Sequence, residues 1–214
     1  MLTIHAAALL LPGGGRAPVP GGAVAVRDAV VESFGPYEEL AALHPAARVR
    51  RWPGVLTPGL VQRDAVGLLE ESYFPDPREA DTLGTAPLTG EALDALGPDD
   101  TWRAGSVRRG LHRMLRHGTT AATAAPTAPP ALITAMRRSG LLVIGAPAHS
   151  GGTPRLDPLA GAGAVADAMA APLTVGERAD LAAFDAPDED ALLAAGGASC
   201  VATVAAGRLV YRGR

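Results

Sequence analysis

The stretch Trp52–Val66, reading WPGVLTPGLVQRDAV, decides how the rest of the chain is organised. Val55-Leu56-Thr57 is a short, mostly apolar run bounded by two turn-forming pairs, Pro53-Gly54 and Pro58-Gly59. Leu60 and Val61 continue it before the chain turns polar at Gln62-Arg63-Asp64. Such a run predicts a buried strand, carrying a Pro-Gly kink and ending in side chains that can face a site.

Upstream, residues 2–11 and 22–34 read as β structure separated by glycine-rich turns. Gly13-Gly14-Gly15 is read as a plain turn, because no helix follows it to complete a phosphate cradle. Tyr37 to Leu43 is a short helix stopped by His44-Pro45. Downstream, residues 62–100 show little periodicity and several acidic residues, so they read as a long loop with a short helix near 89–96. Thr101 to His117 is a helix with Val107, Leu111, Met114 and Leu115 on one face. A strand at 119–123 follows, then a helix from Pro129-Pro130 to Arg138 closed by Gly140. Leu141-Leu142-Val143-Ile144 has the continuous apolar character of a buried parallel strand. The pattern continues with a third helix over 162–170, β segments at 173–175 and 179–185, and a helix over 188–195. A terminal hairpin then turns at Ala206-Gly207-Arg208.

Composition narrows the function classes. A chain of 214 residues, 48% hydrophobic and 19% charged, suits one sizeable core or one core with a small satellite. A formal charge of -3 argues against a general nucleic-acid surface. No apolar run is long enough to span a bilayer, and the apolar N-terminus lacks the basic flank of a signal peptide, so it reads as a strand. The single cysteine, Cys200, rules out an internal disulfide and points to a cytoplasmic, reducing setting. All 19 basic residues are arginine, which removes Schiff-base, P-loop and carbamylated-lysine chemistry.

Three motifs in order carry a family resemblance. The central PGLV stretch resembles the segment that opens the barrel of the amidohydrolase superfamily. LTVGERADLAAFD at 173–185 is similar to that superfamily's signature near the C-terminus, and VATVAAGRLVYRGR at 201–214 is similar to its closing hairpin. GLHRMLRHGTTAATAA resembles, more loosely, its first barrel helix and second strand. The branches it suggests are imidazolonepropionase and aminodeoxyfutalosine deaminase. The resemblance implies an α/β fold: a composite β-sandwich from residues 1–60 and 172–214, and a truncated (β/α) barrel fragment from 61–171. The truncation follows from length, since 67–171 is far short of the ~250 residues of a whole eight-fold barrel.

The resemblance also shows what is missing. Where the family carries a His-x-His metal pair, this chain has Asp64 and Val66. No segment matches the later strands that supply the family's lysine or glutamate, its further histidines and its catalytic aspartate. Of the five histidines, His149 alone follows a barrel-type strand at its carboxyl end. Asp64 and His149 are therefore the catalytic candidates, Asp157 a possible companion in a one-metal site, and Gln62 and Arg63 the substrate-binding candidates. A Ser150–His149 couple is disfavoured because adjacent side chains diverge, and Cys200 reads as a small buried hydrophobe.

Two functions follow. The first is a non-catalytic scaffold without cofactor, acting through a homodimer or a partner protein that covers the exposed barrel edges. The second is a hydrolase acting on a C–N bond of a cyclic amide, amidine or amino-heterocycle, with one divalent metal such as zinc. The second requires Gln62, Asp64 and His149 to converge.

Overall fold

A computed structural model describes residues 1–97, 99–146 and 154–213. The chain opens with strands β1 (Leu2–Ala6), β2 (Leu9–Leu10), β3 (Val19–Pro20), β4 (Gly22–Arg27) and β5 (Val30–Pro36). Helix α1 (Tyr37–Leu43) and strands β6 (Arg48–Arg51), β7 (Val55–Pro58) and β8 (Leu60–Gln62) follow. The middle holds α2 (Ala65–Glu70), β9 (Ser72–Tyr73), α3 (Ala80–Leu83), β10 (Leu88–Thr89), α4 (Glu91–Leu96), α5 (Asp100–Leu115), β11 (Thr119–Ala124), α6 (Pro130–Arg138) and β12 (Leu142–Gly145). The chain continues through α7 (Val165–Ala168), β13 (Leu181–Phe184), α8 (Glu189–Ala195), β14 (Cys200–Ala205) and β15 (Arg208–Arg212).

Three sheets matter for function. A four-stranded sheet runs β5-β4-β1-β6, and a six-stranded sheet runs β15-β14-β13-β7-β2-β3, joining strands from both ends of the described chain. The apolar faces of these two sheets meet in one core, where Val24, Val26 and Val31 pack with Leu10, Leu56, Leu181 and Val204. The third sheet is parallel, with order β12-β11-β8, and α5 and α6 supply its two crossovers. Ala65, Leu68, Leu111, Met114, Leu132 and Met136 cover one of its faces.

The Pro58-Gly59 pair does more than kink one strand. β7 belongs to the six-stranded sheet, pairing with β13 and β2, whereas β8 pairs with β11 in the parallel sheet. The expected single strand is thus two strands in two sheets, and the kink is where the chain crosses between them. Close packing requires a glycine there: a Cβ on Gly59 would stand 1.9 Å from Thr120 Oγ1. The terminal hairpin turns where the sequence places it, with Ala206 at φ 48° and Gly207 at φ 72°, the left-handed pair that suits the twist of a two-residue hairpin.

Several sequence expectations are corrected. Residues 62–100 hold the expected short helix as α4, but α2, α3 and the small β9–β10 ladder stand where a loop was expected. Each of these elements is six residues or fewer, too short to print a periodicity. The third helix shrinks to α7, and 173–175 forms no strand. Arg48–Arg51 forms a strand whose charge hid it. β12 pairs in parallel as expected but lies at the sheet margin, with Leu142 42% exposed, so its apolar run does not signify burial.

Candidate functional site

Parallel α/β sheets gather their functional groups at the carboxyl ends of the strands. Here that end of β8 delivers Gln62, Arg63 and Asp64, and the first two are engaged with the protein's own backbone. Gln62 is buried, at 4% exposure, and its side-chain amide donates to the carbonyls of Arg155 (2.8 Å) and Leu156 (3.3 Å). Its carbonyl oxygen accepts from the Asp64 backbone N–H at 3.2 Å. The amide therefore ties down the segment over the strand end.

Arg63 is exposed and donates to the Asp167 carbonyl at 2.9 Å, while its own carbonyl accepts from the Thr123 hydroxyl. The guanidinium thus bridges β8 to α7. Asp64 is half-buried at the N-cap of α2, without a side-chain capping bond, and its carboxylate lies against Gly67, where a Cβ would come within 2.6 Å. Gln62 and Asp64 are thus neighbours. His149, like Ser150, lies outside the described residues. Asp157 turns away toward the chain's end: its carboxylate accepts from the N–H groups of Leu159 and Gly197.

The other titratable candidates have structural surroundings. His5 is 1% exposed, and the Trp52 indole N–H donates to its Nδ1 at 3.2 Å. Burial, with Arg50 adding to it, pulls the imidazole down from 6.5 to about 4. His117 Nδ1 sits 2.8 Å from the Arg113 carbonyl at the close of α5. His112 lies nearly perpendicular to the Tyr211 ring. Burial pushes the Cys200 thiol up to about 11, against opposing bonds from Thr203 and the backbone, so it is a protonated hydrophobe and not a nucleophile.

Among the described residues, no three histidine, cysteine, aspartate or glutamate side chains stand together as a metal-ligand group. The groups at the end of β8 do not fit a divalent metal. An amide held by two carbonyls and an arginine bonded to a third occupy positions next to the one carboxylate. No helix is long and apolar enough to cross a membrane among the described residues.

Sequence reasoning missed the carbonyls of Arg155 and Leu156, because nothing local marks acceptors 93 and 94 residues from Gln62. It also missed that β8 is sealed on its outer side. Leu60 bridges Met169, and the Ala170 N–H donates to the Gly59 carbonyl, so the segment returning from α7 closes that margin. Leu159, Val165, Ala168 and Met169 pack there with Leu60.

No protein-family description matches the chain, and no curated protein does. The chain is similar to solved structures of several hydrolases and deaminases over about 67% of its length. Ochratoxinase from A. niger is 20% identical, with a TM-score of 0.44 over 67% of this chain and 30% of that one. Guanine deaminase from Bradyrhizobium japonicum is 19% identical, with a TM-score of 0.43 over 68% and 34%. Aminofutalosine deaminase from Helicobacter pylori is 13% identical, with a TM-score of 0.44 over 68% and 33%. The chain spans about a third of the length of these structures.

Proposed function

We propose that the chain is a non-catalytic, amidohydrolase-like protein. In this reading residues 1–60 and 172–214 form a composite β-sandwich, and 61–171 form a truncated β/α barrel fragment that binds a partner. The observation that carries it is the use of Gln62. A side chain at the carboxyl end of a barrel strand, where a substrate or metal is normally met, makes its hydrogen bonds to Arg155 and Leu156. Arg63 behaves likewise toward Asp167. These contacts act as clasps, and the reading includes no resident metal and no substrate.

The partner is a second copy of the chain, joined through β12. β12 is the outer strand of the parallel sheet, and its sequence LVIG carries no charge that would repel another strand. Two copies meeting about a two-fold axis would each supply the other's missing strand, as isologous pairing allows. The single buried thiol agrees with a cytoplasmic location, which is part of the same proposal.

Elemental analysis of untagged protein, with its mass measured by light scattering, tests both parts. The expected result is no stoichiometric zinc, iron or manganese and the mass of two chains. Near-stoichiometric metal would overturn the non-catalytic reading in favour of a C–N hydrolase acting on a cyclic amide, amidine or amino-heterocycle. Asp64 and His149 would then be the first residues to replace. A single-chain mass would overturn the dimer and leave a different protein as the partner.

A further inference from the structure

Three arginines stand together at the outer margin of the two facing sheets. Arg48 and Arg50 lie on β6, the last strand of the four-stranded sheet, and Arg212 lies on β15, the last strand of the six-stranded sheet. Residues two apart on a strand share a face. Arg48 and Arg50 pair in register with Thr3 and His5, which pair in turn with Val26 and Val24 of the core between the sheets. Trp52, two residues beyond Arg50, stacks on His5 and packs against that core. Arg212 pairs with Ala202, another member of it. All three arginines therefore stand on the faces that the two sheets turn toward each other.

Other arginines have acids: Arg27 is paired with Glu32, Arg109 with Asp76 and Arg178 with Asp180. Among the described residues, none of the three at this margin has a carboxylate within salt-bridge distance. Burial, and then the charges of Arg48 and Arg212, pull the half-buried Arg50 guanidinium down from its ordinary value. Both neighbours, one from each sheet, thus act on Arg50. Residues two apart on a strand are about 7 Å apart and facing sheets about 10 Å apart, distances that arginine side chains can close around one small group. Like charges held this near one another repel, and a bound anion removes that repulsion.

We propose that this margin binds a phosphate group, either free or as the end of a phosphate monoester. Arg50 and, from the opposite sheet, Arg212 each present parallel donors to its oxygens, and the exposed Arg48 adds a third positive charge. A tetrahedral anion carries oxygens on every side, which suits donors arriving from two sheets. The site shares no residue with the carboxyl end of β8 or with β12, so its occupancy does not depend on whether the chain is catalytic or dimeric.

Calorimetric titration of the intact protein at low salt and near-neutral pH tests the assignment, with inorganic phosphate and glycerol phosphate as probes. Binding once per chain is expected. Tighter binding of glycerol phosphate would assign the site to a monoester, and equal or weaker binding would assign it to free phosphate. Arg50→Gln and Arg212→Gln should each weaken the tighter probe about tenfold or more, the loss expected for one charge-assisted contact. Arg212 is exposed, so its variant keeps the core intact and stands as a test even where replacing the half-buried Arg50 disturbs folding. Arg137→Gln, on the exposed end of α6, should bind as the parent does. Absence of binding by both probes, unchanged affinity in either folded variant of the margin, or an equal loss in Arg137→Gln would each overturn the proposal.

Discussion

Strands β6 and β12 make a natural pair for comparison. Both are four residues long, both lie at the outer margin of a sheet, and both pair in parallel with one neighbour. Their sequences are opposite: RVRR in β6 and LVIG in β12. A strand with one unpaired side invites another chain, and arginines discourage it by charge and by holding water. β6 thus carries the charge that discourages a further strand, and β12 carries none, as the proposed pairing requires. β8, at the other margin of the parallel sheet, shows the third solution: the chain covers its own edge with Met169 and Ala170. The difference teaches that, among the described residues, one margin of the parallel sheet is covered by this chain while the other presents an uncharged strand.

The largest effect that sharpens this contrast comes from shortening matched leucines at the two margins. Leu60 in β8 is fully buried, so Leu60→Ala should cost about 3 kcal/mol in chemical denaturation, through lost burial and an unfilled cavity. Leu142 in β12 is 42% exposed, and Leu142→Ala in dilute protein should cost less than about 1 kcal/mol. Equal losses at low concentration, where copies separate, would mean that β12 is as enclosed as β8 and would end the comparison.

Next in size is the effect of the charge on β6. Arg50 lies opposite His5 in the parallel register, and burial with that positive neighbour brings the imidazole to about 4. The unfolded chain takes up this proton near 6.5, whereas the folded chain resists until about 4. Stability from the neutral ring is therefore whole above pH 6.5 and is lost as pH falls through that window, by about 3 kcal/mol at most. His5→Phe should flatten this part of the stability–pH curve, read as the difference between parent and variant from pH 7 to pH 4. Identical slopes would show that burial of His5 does not couple to folding. No corresponding acid-sensitive group lies on β12, whose residues are all uncharged.

A smaller effect probes the clasp beside the covered margin. Gln62→Leu removes the donor for the carbonyls of Arg155 and Leu156 and should cost about 2 kcal/mol, the range for leaving buried polar groups unpaired. Amide exchange over 154–160 should quicken while that of β13 and β14 is unchanged. Unaltered exchange in that segment would show that something other than Gln62 holds it.

The sequence disclosed local features and not distant partners. Tyr37–Leu43, the long helix before β11 and the helix opened by Pro130 are legible because capping, periodicity and proline act within a few residues. Asp188 illustrates this, its carboxylate accepting from the Ala191 N–H at the start of α8. The apolar run at 141–144 gave a strand, but margin or centre depends on which neighbours the fold brings. For the same reason, Pro58-Gly59 was legible as a break and illegible as a crossing between sheets. The candidate site was half legible. The polar cluster at 62–64 was found from its place after an apolar strand, while its engagement with Arg155, Leu156 and Asp167 rests on contacts about a hundred residues away.

The smallest change in the energy of a single chain should produce the clearest answer about β12. Leu142→Lys places on β12 the kind of cation that β6 carries three times. Leu142 is 42% exposed, so a lysine there can reach water and should alter the stability of the isolated chain by less than about 0.5 kcal/mol. In a two-fold β12 pairing the same substitution appears twice, bringing two like charges together across the joint and forcing their partial desolvation. Light scattering should therefore show the parent mass halved in the variant, with the far-ultraviolet dichroism unchanged. A variant that keeps the parent's two-chain mass would place the contact elsewhere on the molecule. In that case the absence of charge on β12 would need another cause than pairing between copies.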